Sequence, residues 1–189
     1  MKYFKKLVGE RIFLSPMAMG DCEKFVEWMN DFGVTDYIGR TAQVLTVAGE
    51  MEFLENTKDK EATFCIVANE NGKEKLIGSI SINDINHIHR MGTLGIFIGD
   101  PEYRSKGYGA EAINLILEFA FRYMNLNNIN LSVYEYNARA IKCYTKVGFK
   151  EYGRRRKCIF MNGKYYDRVY MDILAEEFTG DFIKNKEVK

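Results

Sequence analysis

A chain of 189 residues, 47% hydrophobic and 28% charged, is long enough to bury a core and too apolar to stay unfolded. Its 27 Lys and Arg nearly balance 26 Asp and Glu, so a net charge of +1 offers no general field for nucleic acid or a membrane surface. No apolar run approaches the roughly 20 residues that cross a bilayer.

Arg11–Pro16 alternates around Ile12 and Leu14 and predicts a first strand. Gly20–Asp21 opens a helix whose Cys22, Phe25, Val26 and Met29 fall on one face. It ends near Asn30–Asp31, Phe32–Gly33 breaks the pattern, and Val34–Leu45 is predicted as loop. Thr46 is an N-cap candidate for a short helix with Val47, Met51 and Leu54 on one face. Thr63–Ala68 and Leu76–Asp84 are strands joined at Asn71–Gly72, a hairpin signal. After the polar connection Asn86–Arg90, Met91–Ile98 makes the next strand, ended by Pro101. The sheet to this point reads as antiparallel.

The clearest helix is Ala110–Met124, with Ile113, Ile116, Leu117, Ala120 and Met124 as its apolar stripe. Glu111, Asn114, Glu118 and Arg122 are expected outside, the last two as an i, i+4 pair. Ile129, Leu131 and Val133 alternate as a strand. A strand–helix–strand connection implies that it lies parallel to Met91–Ile98. Asn137 caps a helix over Ala138–Val147, which Gly148 terminates. Phe149–Phe160 and Lys164–Leu174 are final strands around the hairpin signal Asn162–Gly163. The order β-α-α-β-β-β-α-β-α-β-β belongs to the α+β class, with helices on the faces of a mixed sheet. It predicts a single domain over residues 1–178 and a polar, frayed tail over 179–189.

Cys22, Cys65, Cys143 and Cys158 are widely separated and form no CxxC pair, which predicts free thiols rather than disulfides or zinc. His87 and His89 flank Ile88 with no third ligand nearby, so no metal site is expected. Lys2, Lys5 and Lys6 lead into Glu10 and Arg11 without an apolar segment, which predicts no signal peptide and a cytoplasmic location.

The stretch that carries chemistry is Arg104–Ser105–Lys106–Gly107–Tyr108–Gly109, a basic, glycine-punctuated turn between a strand and a helix. Glycines let the backbone take positive φ and approach a ligand. The first N–H groups of the helix have no partner within it and attract phosphate oxygens. A Walker A loop would need GxxxxGK followed by Ser or Thr, which is absent. A Rossmann fingerprint would need GxGxxG after the first strand of a parallel unit, whereas here GxG follows antiparallel strands. ATP and NAD readings are therefore weak.

Arg104, Gly107 and Gly109 together resemble the Gln/Arg-x-x-Gly-x-Gly/Ala coenzyme motif of the GNAT superfamily of N-acetyltransferases. Asn137-Ala-Arg-Ala-Ile-Lys-Cys-Tyr144-Thr-Lys-Val-Gly148-Phe149 resembles that family's second segment. Trp28-Met-Asn-Asp31, Tyr37-Ile-Gly-Arg-Thr41 and Asn162-Gly-Lys-Tyr-Tyr-Asp167 are similar to its ribosomal-protein (Rim-type) and spermidine acetyltransferase branch. The resemblance covers roughly residues 9–175.

It implies that acetyl-CoA lies in an opening between Met91–Ile98 and the next strand, pairing with the backbone of Ile96, Phe97 and Ile98. The N–H groups of Arg104, Ser105, Lys106, Gly107, Tyr108 and Gly109 would take the pyrophosphate, with Asn137 near the coenzyme. Tyr144 would give a proton to the leaving sulfur. No metal is implied.

Many relatives carry a glutamate base where this chain has Thr93. Glu135 and Asp84 are candidate bases or amine anchors, beside a water route. Trp28, Tyr37 and Arg40 are candidates for a substrate wall, or for aromatic packing over a helix pair. The function expected is acetyl transfer from acetyl-CoA to a primary amine by direct attack, the acceptor being a protein N-terminus, a polyamine or another small amine. The alternative is a catalytically silent acyl-CoA-binding sensor or scaffold. A homodimer is expected from the resemblance alone, with Phe160, Tyr165, Tyr166 and Tyr170 of the last hairpin as a candidate interface.

Overall fold

The computed structural model of the protein describes residues 3–57, 62–70 and 72–185. Among these, eight strands form one sheet: β1 (Leu7–Val8), β2 (Ile12–Pro16), β3 (Thr63–Glu70), β4 (Lys73–Asn86), β5 (Met91–Ile98), β6 (Asn128–Tyr134), β7 (Lys150–Met161) and β8 (Lys164–Leu174). Their order is β1-β2-β3-β4-β5-β6-β8-β7. Every neighbouring pair is antiparallel except β5 and β6, which run parallel as the strand–helix–strand reading requires. The helices are α1 (Cys22–Met29), α2 (Phe32–Thr35), α3 (Val47–Thr57), α4 (Tyr108–Arg122) and α5 (Ala138–Val147). This is the expected mixed α+β sheet, with β1 and α2 as additions.

Strand alternation sorts the core into two layers. Ile12 and Leu14, Ile66, Ile80, Leu94, Leu131 and Val169 face α4, whose Ile113, Ile116, Leu117 and Ala120 are buried as its periodicity predicts. On the other face, Phe13, Cys65 and Val67 meet Phe25, Trp28 and Met29 of α1.

Several expectations change. The break at Phe32–Gly33 is a short helix, because Asp31 caps it by accepting the Gly33 N–H at 2.8 Å. In α3, capped by Thr46 as expected, Glu50 and Leu54 are buried while Val47 and Met51 face solvent. The buried line is an i, i+4 pair rotated from the predicted stripe. α4 starts at Tyr108, two residues early.

Glu118 is not on an outer face: it is 0% exposed and accepts the N–H of Ile183 at 3.0 Å and of Phe182, besides pairing with Arg122 at 3.2 Å. The segment expected to fray is therefore docked through residue 185. Ile183 is buried in the main core, and Lys184 donates its N–H to the Val8 carbonyl at 2.7 Å, beside the edge strand β1. The Asn162–Gly163 hairpin has φ of 49° and 75°, the all-positive turn that this dipeptide favours. Asn71 of the other hairpin signal lies outside the described residues; Gly72 has φ 79°.

The feature that positions the site is the β5–β6 pair. It is registered only at Met91↔Asn128, Gly92↔Ile129 and Thr93↔Asn130. Beyond Thr93, β5 continues along β4 to Ile98 and β6 continues along β8 to Tyr134, with no pairing between them. The sheet is forked.

Candidate active site

The fork opens toward the C-terminal ends of β5 and β6, and both chains turn there into helices. After β5, Asp100 accepts the N–H of Glu102 and caps a short turn over Pro101–Tyr103. The Arg104–Gly109 loop follows. Ser105 has φ 60° and Gly107 φ 89°, so the backbone turns left-handed twice just before α4. Successive left-handed turns gather N–H groups into an anion-binding concavity. No side chain caps α4, and its first helical bond runs from Glu111 N–H to the Gly107 carbonyl. The earlier N–H groups are left to face outward.

Side chains brace this loop from behind. Arg104 turns inward, donating from Nε to the Ile98 carbonyl at 2.9 Å and from Nη2 to the Gly99 carbonyl at 2.7 Å, with Gly33 of α2 reached at 3.2 Å. Its side chain is thus a loop clamp, and only its backbone faces the cradle. Burial, then the nearby charge of Arg139, lowers its pKa. Arg11 donates to the Lys106 carbonyl at 3.0 Å, pairs with Glu111 at 3.0 Å and lies 4.3 Å from the Tyr108 ring centroid. The Tyr108 side chain is buried and donates to Glu70 at 2.7 Å. Lys106 is exposed.

Gly109 shows what the loop leaves room for. Its φ is not in the left-handed region, and a Cβ there would meet only the Ile98 side chain, at 3.9 Å. The fold does not demand glycine at 109, and the space beside it leaves the backbone open to close approach by a ligand. A pyrophosphate fits that cradle.

The rest of the predicted coenzyme strip lies on the fork. Ile96 and Ile98 pack against the main core, while Phe97 points to the other face, 6.0 Å from Trp28 and 6.2 Å from Phe25. On its β6 side this stretch of β5 has no partner strand. Trp28 is 3% exposed and sits where a Cβ on Gly99 would collide with it. It is a core residue supporting β5, which corrects its reading as substrate wall.

On the β6 side, Asn137 accepts the Ala140 N–H at 3.2 Å and caps α5. The row Thr93–Asn130–Asp172–Lys150 crosses the sheet at the level where the fork begins. α5 starts after the free end of β6 and finishes just before Lys150, so all of it, Tyr144 included, covers the split part. Tyr144 packs against Phe149 at 5.9 Å and against the main core, and its hydroxyl has no hydrogen-bond partner among the described residues. Its ring keeps some solvent access, but protein atoms surround the phenol closely, and this burial pushes its pKa well above the ordinary tyrosine range. It remains a proton donor across neutral pH. Burial also raises the Cys143 thiol, so the neighbouring cysteine is not poised as a thiolate nucleophile.

The candidate acids fare differently. Glu135 donates its N–H to the Asp167 carbonyl at 3.1 Å, and Glu135 Oε1 accepts the Asp167 N–H at 2.7 Å. The carboxylate is a tether at the end of β6 rather than a free base. Asp84, φ 51°, is exposed in the irregular stretch Asn83–Asn86 opposite Met91, at the paired end of β5. It is not brought to the fork. Thr93 Oγ1 lies 3.4 Å from Asn130 Oδ1. Among the described residues no three His, Cys, Asp or Glu cluster as metal ligands.

Tyr37 does reach the fork: its ring is 6.1 Å from Tyr136 and 5.7 Å from the Arg139 guanidinium at the start of α5. Tyr136 in turn meets Tyr134 at 5.4 Å and Tyr166 at 4.9 Å, and donates its hydroxyl to the Asp36 carbonyl. Gly39, φ 76°, lets the loop after α2 close over the Tyr134 hydroxyl. Arg40 instead lies 5.6 Å from the Phe53 ring on α3. Tyr134 and Tyr136 were missed from the sequence, although their i, i+2 spacing at the end of a strand was the available signal.

The match to known proteins agrees with this geometry. Residues 11–150 match the acetyltransferase (GNAT) domain. The chain belongs to the GNAT acetyltransferase family. It is 36% identical over 109 residues to a spermidine N(1)-acetyltransferase of Vibrio cholerae, covering 58% of this chain and 62% of that protein. It is 33% identical over 129 residues to a prophage-derived uncharacterized N-acetyltransferase, YokL, of Bacillus subtilis, covering 67% and 70%. The V. cholerae spermidine N-acetyltransferase crystallised with CoA and spermine superposes with a TM-score of 0.80 at 27% identity, covering 90% of this chain and 99% of that one. That neighbour, a CoA complex, shares the overall fold of this chain.

Proposed function

We propose that the protein is an N-acetyltransferase that moves acetyl from acetyl-CoA to a primary amine by direct attack. The observation that carries this is the forked β5–β6 pair leading into the uncapped, left-handed Arg104–Gly109 turn. Bound acetyl-CoA would supply an activated acyl thioester. The N–H groups from Ser105 to Gly109 would hold its pyrophosphate, and the open edge of Leu94–Ile98 would take the amide-bearing arm as an added strand. Tyr144, kept protonated by burial, would give its proton to the departing sulfur.

The attacking amine, with a reference pKa of ~10.4 for a lysine-like group, must lose a proton. With Glu135 Oε1 holding a backbone N–H and Asp84 away from the fork, this proton goes to water, and positioning of the reactants carries much of the rate. Thiol release from acetyl-CoA with a panel of amines, for wild type and Tyr144→Phe, tests the reading. Turnover that depends on Tyr144 supports it. Tight acetyl-CoA binding without turnover of any amine would replace it with the sensor reading, which Thr93 in the base position favours.

A further inference from the structure

We propose that the acceptor side of the cleft holds an anion, so that the amine acetylated carries a carboxylate or phosphate group seated against Arg168 and Arg155. The inference rests on the acetyl-transfer reading for the group modified, but the anion site stands on its own observations.

Tyr134, Arg168 and Arg155 are successive partners in one row across β6, β8 and β7. Directly opposed residues point to the same face, so two arginine side chains leave the sheet as cross-strand neighbours there, a like-charge pairing that disfavours folding. Neither makes an ion pair among the described residues, and Arg168 Nε is buried with no hydrogen-bond partner. The acids nearby are already engaged: Glu135 Oε1 holds the Asp167 N–H, Asp167 Oδ1 the Lys157 N–H and Asp36 Oδ1 the Thr41 hydroxyl. Those carboxylates keep their charge, but the oxygens named turn to neutral donors rather than to either guanidinium.

The Arg168 guanidinium lies 5.4 Å from the Tyr134 ring centroid. Tyr134 lines an open pocket of 400 Å³ flanked by Gly39 and Thr41 on one side and the Cys158–Asn162 stretch of the last hairpin on the other. None of the lining residues is acidic. A polyamine entering there would find no carboxylate in the lining, and the nearest guanidinium on that side is Arg168, beside the lining Tyr134. An amine bearing an anion would meet donors matched to carboxylate or phosphate geometry.

The test compares matched probes: glycylglycine with glycylglycinamide, glucosamine 6-phosphate with glucosamine, and spermidine. Each is measured by kcat/KM for thiol release and by calorimetric binding to the CoA-loaded protein, for wild type, Arg168→Met and Arg155→Gln. In wild type the anionic member of at least one pair should be preferred about tenfold, the scale of one charge-assisted hydrogen bond. The pair that shows it separates carboxylate from phosphate. In Arg168→Met that ratio should fall to about one while the melting temperature holds or rises, since a merely structural arginine would destabilise on removal.

Equal or reversed preference in wild type, spermidine as the best substrate, or an unchanged ratio in both variants overturns the proposal. Absence of turnover with every amine sinks the acetyl-transfer reading instead, and the binding ratios then decide the anion site alone. Should Arg168→Met fail to fold, Arg155→Gln on the exposed edge strand carries the same comparison.

Discussion

Gly109 separates folding from binding more cleanly than any other residue of the loop. Its backbone is helical, and the space beside it holds only Ile98 at 3.9 Å. Gly109→Ala should therefore stabilise the free protein by about 0.4–1 kcal/mol, because alanine loses less chain entropy on folding. On the proposed function the same methyl group would stand where the coenzyme approaches, so its dissociation constant should rise about tenfold, or ~1.4 kcal/mol. Thermal melts and CoA titration of one variant check both signs. Gly107→Ala differs: with φ 89° and Arg11 3.2 Å away, it should lose both stability and affinity.

For Tyr144, Tyr144→Phe should lower kcat roughly hundredfold, within the usual range of a lost general acid. Burial raises its pKa, so the donating form persists as pH rises, and the alkaline fall in kcat should lie above the ordinary tyrosine value of ~10. A pH–rate profile for wild type and variant would show that limb and its loss. Glu135→Gln keeps an oxygen for the Asp167 N–H and removes the charge. Its kcat/KM should stay within about tenfold of wild type, and a larger fall would return Glu135 to the role of base. The Arg104–Gly109 turn ahead of α4 and the Asn137 cap of α5 were legible in the sequence because local spacing carries them. That Trp28 lies under Gly99 was not, because that packing depends on how α1 meets β5.

At the scale of elements, α4 shows where periodicity is informative and where it stops. Its apolar stripe was legible, since a 3.6-residue repeat of buried positions is a property of the helix alone. Glu118 reads in that pattern as a solvated charge, yet it is buried because residues 64 and 65 positions later lie over it. No local pattern announces a carboxylate whose partners are distant backbone N–H groups. Glu118→Ala should cost about 2–3 kcal/mol, given that hydrogen bonds to charged groups contribute ~1.5–3 each. Urea unfolding would measure the loss, and limited proteolysis should then cut within residues 178–185 first. The short α2 was hidden for a related reason: Asp31 makes the Phe32–Gly33 break into a helix start, a choice that a glycine in the sequence argues against.

For the whole molecule, the antiparallel hairpin pairs and the single parallel pair followed from the connections, since hairpins give antiparallel neighbours and a crossover helix gives a parallel one, whereas the place of β8 between β6 and β7 did not. What the connections do not encode is how long that parallel pair lasts, because register ends where side chains on both strands find better partners elsewhere. Among the described residues, three strand-pairing rungs join β5 to β6. The sheet is therefore two plates with a short seam, bridged by α4 and α5, and amide groups facing the gap along Leu94–Ile98 and Leu131–Tyr134 should exchange faster than those paired within either plate. A ligand lying in the gap would take the place of the missing rungs and couple the plates. At a hundred times its dissociation constant, CoA should add about 2.7 kcal/mol to unfolding. Hydrogen exchange should then slow in both plates together, so the coenzyme would act as a structural member of the fold as well as the acyl donor.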